Sequence, residues 1–275
     1  MPDYQHIDLR RDGAVLIATL NNPPRNLMNA RMVEEMHAVV DVVADDAEVR
    51  ALIFTGGADG IFITHYDVGE LSAVSDVVRA RPMTAEAPPS GERAGPELHP
   101  LDRLSLKLRD LPQPVIAAVN GTAMGGGCEL TLACDFRIMA RGYQIGLPEV
   151  RVGILPGAGG TQRMPRLIGA AKALELLLLG NTVDADEAAR LGIVHRAVDQ
   201  GRALDEALAL ARELASRPRT SIAEIKRCIY YSMEHGIEDG LRYEAAAFMR
   251  TMRSDDASSL MKAYLKSDRP LNEQW

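Results

Sequence analysis

The stretch GTAMGGGCELTLACD, Gly121 to Asp135, places three consecutive glycines one residue before a glutamate in an otherwise apolar segment. Each glycine loses more backbone entropy on folding than any other residue, so a run of three indicates a geometric requirement. VIAAV, Val115 to Val119, predicts a buried strand before it, and a helix is predicted from about Cys128. Free backbone N–H groups at a helix start bind negatively charged oxygen. We therefore predict an anion-binding turn with the carboxylate of Glu129 beside it.

The glycine turn lacks the features of the common phosphate and nucleophile motifs. No Lys-Ser or Lys-Thr follows the glycines, and the spacing is not that of a dinucleotide fingerprint. The chain also has no G-x-S-x-G nucleophile elbow. The remaining interpretation of the glycine turn is an oxyanion hole without an attached nucleophile. Glu129 falls on the first turn of the predicted helix, where the helix dipole is expected to favour its ionised form.

A second glutamate occurs twenty residues further along the chain, in GLPEVRVGILPGAGGTQR. Glu149 follows Pro148 and precedes another glycine-rich helix start, Gly157 to Thr161. Two carboxylates brought together could hold a water molecule and divide base and acid work between them. The alternative is that each glutamate is a structural cap or a surface residue, and that the glycines only allow close helix packing.

The rest of the chain alternates strands with helices as far as about residue 200. Two runs predict a hairpin across Asp12-Gly13, Ile7 to Arg10 and Val15 to Leu20. Spacings of three and four predict an amphipathic helix through Met32, Met36, Val39 and Val43. Further strands are predicted at Ala51 to Phe54, Phe136 to Ala140 and Val194 to Val198, and a capped helix start at Asp184 and Glu187. The pattern favours an α/β core.

The C-terminal part is predicted to be helical, with helices at Leu204 to Ala215, Ile222 to Met233 and Ile237 to Met249. We therefore divide the chain into an α/β core, residues 1–200, and a helical region, residues 201–275. Residues 79–100 interrupt the core with a proline-rich stretch. This stretch is either a tolerated surface insertion or an active-site lid.

Composition limits the partners and the compartment. The net charge of −7 over 275 residues disfavours broad binding to nucleic acid or to an anionic membrane. Three cysteines form no CxxC pair and no even-numbered framework, which favours a reducing compartment. The N-terminus does not resemble a signal peptide, and no apolar run approaches the roughly 18 residues of a membrane span. We expect a cytoplasmic protein.

Several segments together resemble the enoyl-CoA hydratase/isomerase (crotonase) family. VNGTAMGGGCELTLACDFRIMA and GLPEVRVGILPGAGGTQRMPRLIG are similar to its paired signature segments. NNPPRNLMNARM, LIFTGG and VDADEAARLGIVHRAV resemble its other landmarks in the expected order, over roughly residues 8–265. The resemblance implies a spiral core of repeated ββα units, coenzyme A thioester substrates, and a helical C-terminal region that mediates homotrimers, often paired into hexamers.

The resemblance also implies roles for particular residues. The two oxyanion-hole amides of the family fall on Gly126 and Tyr66, and the two glutamates of its hydratases match Glu129 and Glu149. Glu129 would orient and deprotonate the water that attacks C3, and Glu149 would supply the proton to C2. Because both glutamates are present, the resemblance implies hydration of a trans-2-enoyl-CoA. The alternatives are isomerisation or thioester hydrolysis, or a binding protein without turnover.

The chain departs from the family pattern where members commonly have Ala-Gly-Ala-Asp. It has Thr64, His65, Tyr66 and Asp67 there. Any non-proline residue supplies a backbone N–H, so Tyr66 does not by itself remove the oxyanion hole, although its ring must be accommodated. If the family glycine is left-handed, His65 would be strained. His65 is either an additional catalytic or binding group or an unassigned histidine without a chemical role.

Further contacts to coenzyme A follow from the resemblance. Arg25 matches a basic position that contacts the phosphates of coenzyme A. Further residues expected to bind the substrate or coenzyme A are Thr64, His65, Asp67 and Gly125. Tyr264 and Lys266 resemble the basic and aromatic tail segment only loosely, and a solvated helix face is the preferred interpretation of Lys266. No metal or separate cofactor is expected, because the six histidines show no ligand spacing: His6, His37, His65, His99, His195 and His235.

Overall fold

The computed structural model describes residues 4–80 and 98–273 and contains two sheets surrounded by helices. The strands are β1 (Ile7–Asp12), β2 (Val15–Leu20), β3 (Ala51–Gly56), β4 (Ile61–Ile63), β5 (Val115–Val119), β6 (Thr122–Met124), β7 (Phe136–Ala140), β8 (Gln144–Gly146), β9 (Thr182–Asp184) and β10 (Arg196–Val198).

The helices of the described residues are α1 (Ala30–Asp45), α2 (Val68–Arg79), α3 (Pro100–Asp110), α4 (Gly126–Ala133), α5 (Gly160–Ile168), α6 (Ala170–Leu179), α7 (Ala185–Leu191), α8 (Ala203–Ser216), α9 (Arg219–Ser232), α10 (Ile237–Met252) and α11 (Asp255–Tyr264). Short 3₁₀ helices cover Glu149–Val152 and Leu271–Glu273. Most of the predicted loop at residues 79–100 lies outside the described residues.

The larger sheet has six strands in the order β1-β2-β3-β5-β7-β10. β1 and β2 form the predicted antiparallel hairpin, and the other neighbours are parallel. The smaller sheet has the order β4-β6-β8-β9. Because β3, β5 and β7 are each followed by a short strand of the smaller sheet and then a helical segment, the chain repeats a ββα unit. The predicted α/β spiral core is confirmed.

Apolar side chains on the two faces of the large sheet enter different clusters. Leu52 and Phe54 of β3 enter the main core together with α1 and α4, whereas Ala51 and Ile53 pack with α8. The strands β2, β3 and β5 are buried on both faces, which explains their continuous apolar sequences. All of the predicted C-terminal helices form, and α8 covers the outer face of the sheet. A domain boundary near residue 200 stays a prediction.

Candidate active site

The glycine turn joins β6 to α4, and two of its glycines meet separate steric requirements. Gly125 has φ +52°, a conformation that favours glycine, and its N–H donates to the Gly146 carbonyl over 3.0 Å. A Cβ atom at Gly127 would lie only 2.6 Å from Cβ of Ile63, so β4 and α4 approach closely only because this residue is glycine. α4 begins at Gly126, two residues before the predicted start.

Glu129 is almost fully buried on the first turn of α4. Its Oε1 accepts hydrogen bonds from the N–H groups of Ala158 and Gly160, over 2.7 and 2.9 Å. Burial raises the pKa of Glu129, while the two N–H donors and the charge of Arg163 oppose that rise. The helix dipole is expected to favour the ionised form, but desolvation has the larger effect, so the net shift of this pKa is upward.

Glu149 begins the short 3₁₀ helix that follows β8. Burial, and then the charge of Glu129, raise its pKa to about 7. Its Oε2 is buried and has no hydrogen-bond partner among the described residues. Its Oε1 lies 3.3 Å from the position that a Cβ atom would take at Gly125. The structure therefore brings the two predicted glutamates to the same turn, close enough for one charge to affect the other.

The backbone of Tyr66 lies next to the start of α4. A Cβ atom at Gly126 would be 3.5 Å from Cβ of Tyr66. Met28 and Tyr66 form an isolated parallel β-bridge. The Met28 N–H donates to the His65 carbonyl, and the Met28 carbonyl accepts the Asp67 N–H, so this bridge does not use the Tyr66 N–H. Within the described residues, the N–H groups of Tyr66 and Gly126 have no acceptor. Two neighbouring unpaired N–H groups are thus present at the glycine turn.

The ring of Tyr66 is accommodated away from the turn, between α2 and α3. The negative charge of the Glu70 carboxylate acts on the Tyr66 side chain, and the Tyr66 ring meets the His99 ring edge-on, with centroids 5.6 Å apart. Burial and the negative charge of Glu70 raise the pKa of Tyr66. Glu70 accepts the Ala30 N–H over 3.0 Å, which links α2 to the start of α1.

His65 does not have the left-handed backbone that the resemblance suggested. Asn26 is the non-glycine residue with positive φ, +47°, in the described part of the chain, so His65 carries no such strain. Nδ1 of His65 lies 2.6 Å from the Tyr66 carbonyl oxygen. Its Cβ lies 3.5 Å from the Cβ position of Gly125, on the side that Glu149 also occupies.

Asn26 is a supporting residue that the sequence analysis missed. It is fully buried, and its side-chain amide donates to the carbonyls of Leu20 and Phe62, over 3.0 and 2.7 Å. Its Oδ1 accepts the Asn22 N–H over 2.6 Å. The last residue of NNPPRN could have been suspected because asparagine tolerates the left-handed conformation, but its partners are distant in sequence.

The other predicted ligand residues have varied surroundings. The hydroxyl of Thr64 donates to the carbonyl of Arg25, whose side chain is exposed. Asp67 caps α2, with Oδ1 accepting the Gly69 N–H over 2.7 Å. The structure records no contact between the site and two exposed residues at the end of α11, Tyr264 and Lys266.

Residues 4–80 and 98–273 contain neither a metal-binding cluster nor a membrane-spanning helix. No cluster of three or more histidine, cysteine, aspartate or glutamate side chains is arranged to hold a metal ion. No helix in these ranges is long and apolar enough to cross a membrane.

Comparisons with known proteins agree with this geometry. The family pattern described as enoyl-CoA hydratase/isomerase matches residues 10–274, and the chain belongs to this family. It is 32% identical to the short-chain-enoyl-CoA hydratase of Clostridium acetobutylicum over 96% of both chains. It is 34% identical to the carnitinyl-CoA dehydratase of Citrobacter koseri, over 97% of this chain and 98% of the relative.

A solved structure supports the same assignment. The enoyl-CoA hydratase from Bacillus anthracis superimposes with a TM-score of 0.83 at 30% identity, over 97% of this chain and 98% of that chain. At this level of similarity the fold and the family are shared. The fold predicted from the resemblance is therefore confirmed by an independent structure.

Proposed function

We propose that this chain is an enoyl-CoA hydratase that adds water across the 2,3 double bond of a trans-2-enoyl-CoA. The observation that carries the proposal is the pair of buried carboxylates at one glycine turn. Glu149 has a pKa raised to about 7 by burial and by the charge of Glu129. Pairs of carboxylates whose environments differ are suited to divide acid and base work.

The thioester carbonyl oxygen would lie between the N–H groups of Tyr66 and Gly126. Charge develops on this oxygen as the enolate forms, and two N–H groups without other acceptors can stabilise it. Gly126 is also the first residue of α4, so the positive end of the helix dipole faces the same oxygen. Loss of one such donor costs roughly 100- to 1000-fold in rate.

The surroundings of the two glutamates favour different protonation states. Glu129 accepts two backbone N–H groups, which stabilise a carboxylate, whereas Oε2 of Glu149 has no donor within the described residues. Because ionisation of one opposes ionisation of the other, we assign the remaining proton to Glu149. Glu129 then orients and deprotonates the water that attacks C3, and Glu149 delivers its proton to C2. The C3 hydroxyl keeps one proton of the water and Glu129 takes the other. Transfer of that proton from Glu129 to Glu149, directly or through solvent, restores both groups after each turnover. No electron is transferred, so the reaction requires no redox cofactor.

Arg25 is proposed to bind a coenzyme A phosphate, since its side chain is exposed at the loop that bonds Thr64. We also propose that the C-terminal helices assemble the chain into a trimer or hexamer. Large apolar side chains of α10 support this proposal: Ile237, Leu241, Phe248 and Met249 are 81%, 56%, 58% and 52% exposed. Light scattering of the purified protein tests the assembly, and a monomer would contradict it.

The loss of enoyl thioester absorbance with crotonyl-CoA tests the proposed reaction. We expect rapid turnover by the unaltered protein and nearly complete loss in Glu129→Gln and Glu149→Gln, with circular dichroism unchanged. Glu175→Gln is the matched control, because Glu175 lies on α6 in an exposed ion pair with Lys172. Turnover that survives either site substitution would contradict the assigned roles.

A further inference from the structure

A cavity lies at the opposite end of α4 from the glycine turn. Its volume is about 760 Å³, and its walls come from α3, α5, α9 and the segment from Leu132 to Arg137. Small-molecule sites typically measure about 300–1,000 Å³. Neither Glu129 nor Glu149 lines this cavity, so it is separate from the glycine turn.

One side of the cavity is apolar. It is formed by side chains of α3, α4, α8 and α9, among them Leu106, Leu132, Leu214, Ile222 and Ile229. A hydrocarbon chain placed against them would be removed from water, which contributes about 25 cal/mol per Å² of buried apolar surface. This wall therefore favours a ligand with an aliphatic part.

Most charged groups around the cavity are already bound. Lys226 donates to Asp135 over 2.7 Å, and Arg109 forms an ion pair with Glu234 over 2.6 Å. The buried Arg137 donates to two backbone carbonyl oxygens. These groups hold α9 and β7 in place and offer no free charge to a ligand.

Arg163 of α5 differs from these groups. Its Nη2 donates to the hydroxyl of Ser105 over 2.6 Å, and its Nη1 lies against Gly159, where a Cβ atom would approach to 1.8 Å. No carboxylate of the described residues lies within ion-pair distance of the guanidinium, although Asp102 also lines the cavity. Burial lowers the pKa of Arg163, and the negative charges of Asp102 and Glu129, which lie beyond ion-pair distance, oppose that shift.

We propose that this cavity is a binding site for an amphipathic carboxylate of medium chain length, separate from the thioester site. The carboxylate pairs with the Arg163 guanidinium, and the aliphatic chain lies along the wall formed by α4 and α9. An Arg–carboxylate pair is charge-assisted and presents two parallel N–H donors. A neutral ligand would desolvate the guanidinium further without replacing its hydrogen bonds to water.

Isothermal titration of octanoate into the purified protein tests the site without any turnover. We expect saturable binding, weakened about 10- to 100-fold in Arg163→Gln because one charge-assisted pair is lost. Ile229→Trp fills the cavity from the opposite wall and is expected to abolish binding. Arg190→Gln is the matched control, because Arg190 pairs with Glu187 on the exposed surface of α7.

Octanoate bound in this cavity and octanoate bound at the thioester site would respond differently to the two substitutions and to a competing thioester. Octanoate that binds Arg163→Gln and Ile229→Trp as tightly as the unaltered protein would overturn the proposal, as would an absence of binding. Displacement by butyryl-CoA, which has no double bond to hydrate, would place octanoate at the thioester site and also overturn it. If Arg163→Gln does not fold, Ile229→Trp decides the outcome. A protein that does not hydrate crotonyl-CoA but binds octanoate in the expected pattern would contradict only the proposed function.

Discussion

Replacing Gly160 with alanine is expected to displace Glu129 and slow the proposed reaction. The added Cβ atom would lie 2.7 Å from Cβ of Pro156, 2.8 Å from Cδ1 of Leu147 and 3.0 Å from Oε1 of Glu129. Non-bonded carbon atoms prefer separations of roughly 3.5–4.0 Å, so these neighbours must move by about an ångström. Overpacking of this kind costs about 1–3 kcal/mol of unfolding free energy.

The same displacement affects the rate, because the Gly160 N–H bonds Glu129 over 2.9 Å. A misplacement of about 1 Å costs on the order of 100-fold in rate. Urea unfolding and initial rates with crotonyl-CoA measure the two effects. Gly157→Ala is the matched control, because its Cβ atom would meet only the Leu155 carbonyl oxygen at 3.9 Å. Equal stability and equal rates in the two variants would refute the account of how Glu129 is held.

Three further predictions concern Glu149, Asn26 and the pair His65 and Tyr66. The raised pKa of Glu149 means that the folded state binds its proton more tightly, so stability is lost as pH rises from about 4.5 through 7. The Glu149→Gln variant lacks that dependence. Its free energy of unfolding in urea, relative to the unaltered protein, should therefore rise with pH by on the order of 3 kcal/mol. A difference that stays constant with pH would contradict the raised pKa. Asn26→Ala should destabilise the protein by about 3 kcal/mol in urea unfolding, because its buried hydrogen bonds are lost. Asn26→Gly should be roughly 1 kcal/mol less destabilising, because glycine tolerates φ +47°. Equal losses in the two variants would argue against backbone strain at this position. His65→Ala should slow crotonyl-CoA hydration about fivefold, because it removes the contact to the Tyr66 carbonyl. Tyr66→Phe keeps the backbone N–H and should leave the rate unchanged. A slow Tyr66→Phe variant beside an unaffected His65→Ala variant would assign the effect to the side chain of Tyr66.

Local patterns in the sequence predicted much of the fold. The hairpin across Asp12-Gly13 and the strand at Val115–Val119 follow from turn residues and apolar runs, and both form with nearly the predicted bounds. Asp184 accepts the Glu187 N–H as predicted, but the carboxylate of Glu187 bonds Arg190 instead of completing a capping box. Interactions within a few residues are thus well predicted, and the choice between two such partners is not.

Contacts between distant segments were not predicted from local patterns. The Ala158 and Gly160 N–H groups that hold Glu129 lie about thirty residues away, and their direction depends on how α5 packs against α4. The burial that raises the pKa of Glu129 depends on the same packing, so the net shift could not be predicted from the helix dipole. The Glu70 carboxylate, whose charge raises the pKa of Tyr66, is likewise placed by α2. Each of these depends on tertiary packing, which a single sequence specifies only indirectly.

The central claim is that the chain adds water to the double bond of an enoyl thioester. Mass spectrometry of the products from crotonyl-CoA in H₂¹⁸O tests this claim most directly. We predict an intact thioester with ¹⁸O in a new hydroxyl group at C3, and no such product from Glu129→Gln. Free coenzyme A with ¹⁸O in a carboxylate would instead show thioester hydrolysis, and recovery of unlabelled thioester would contradict hydration.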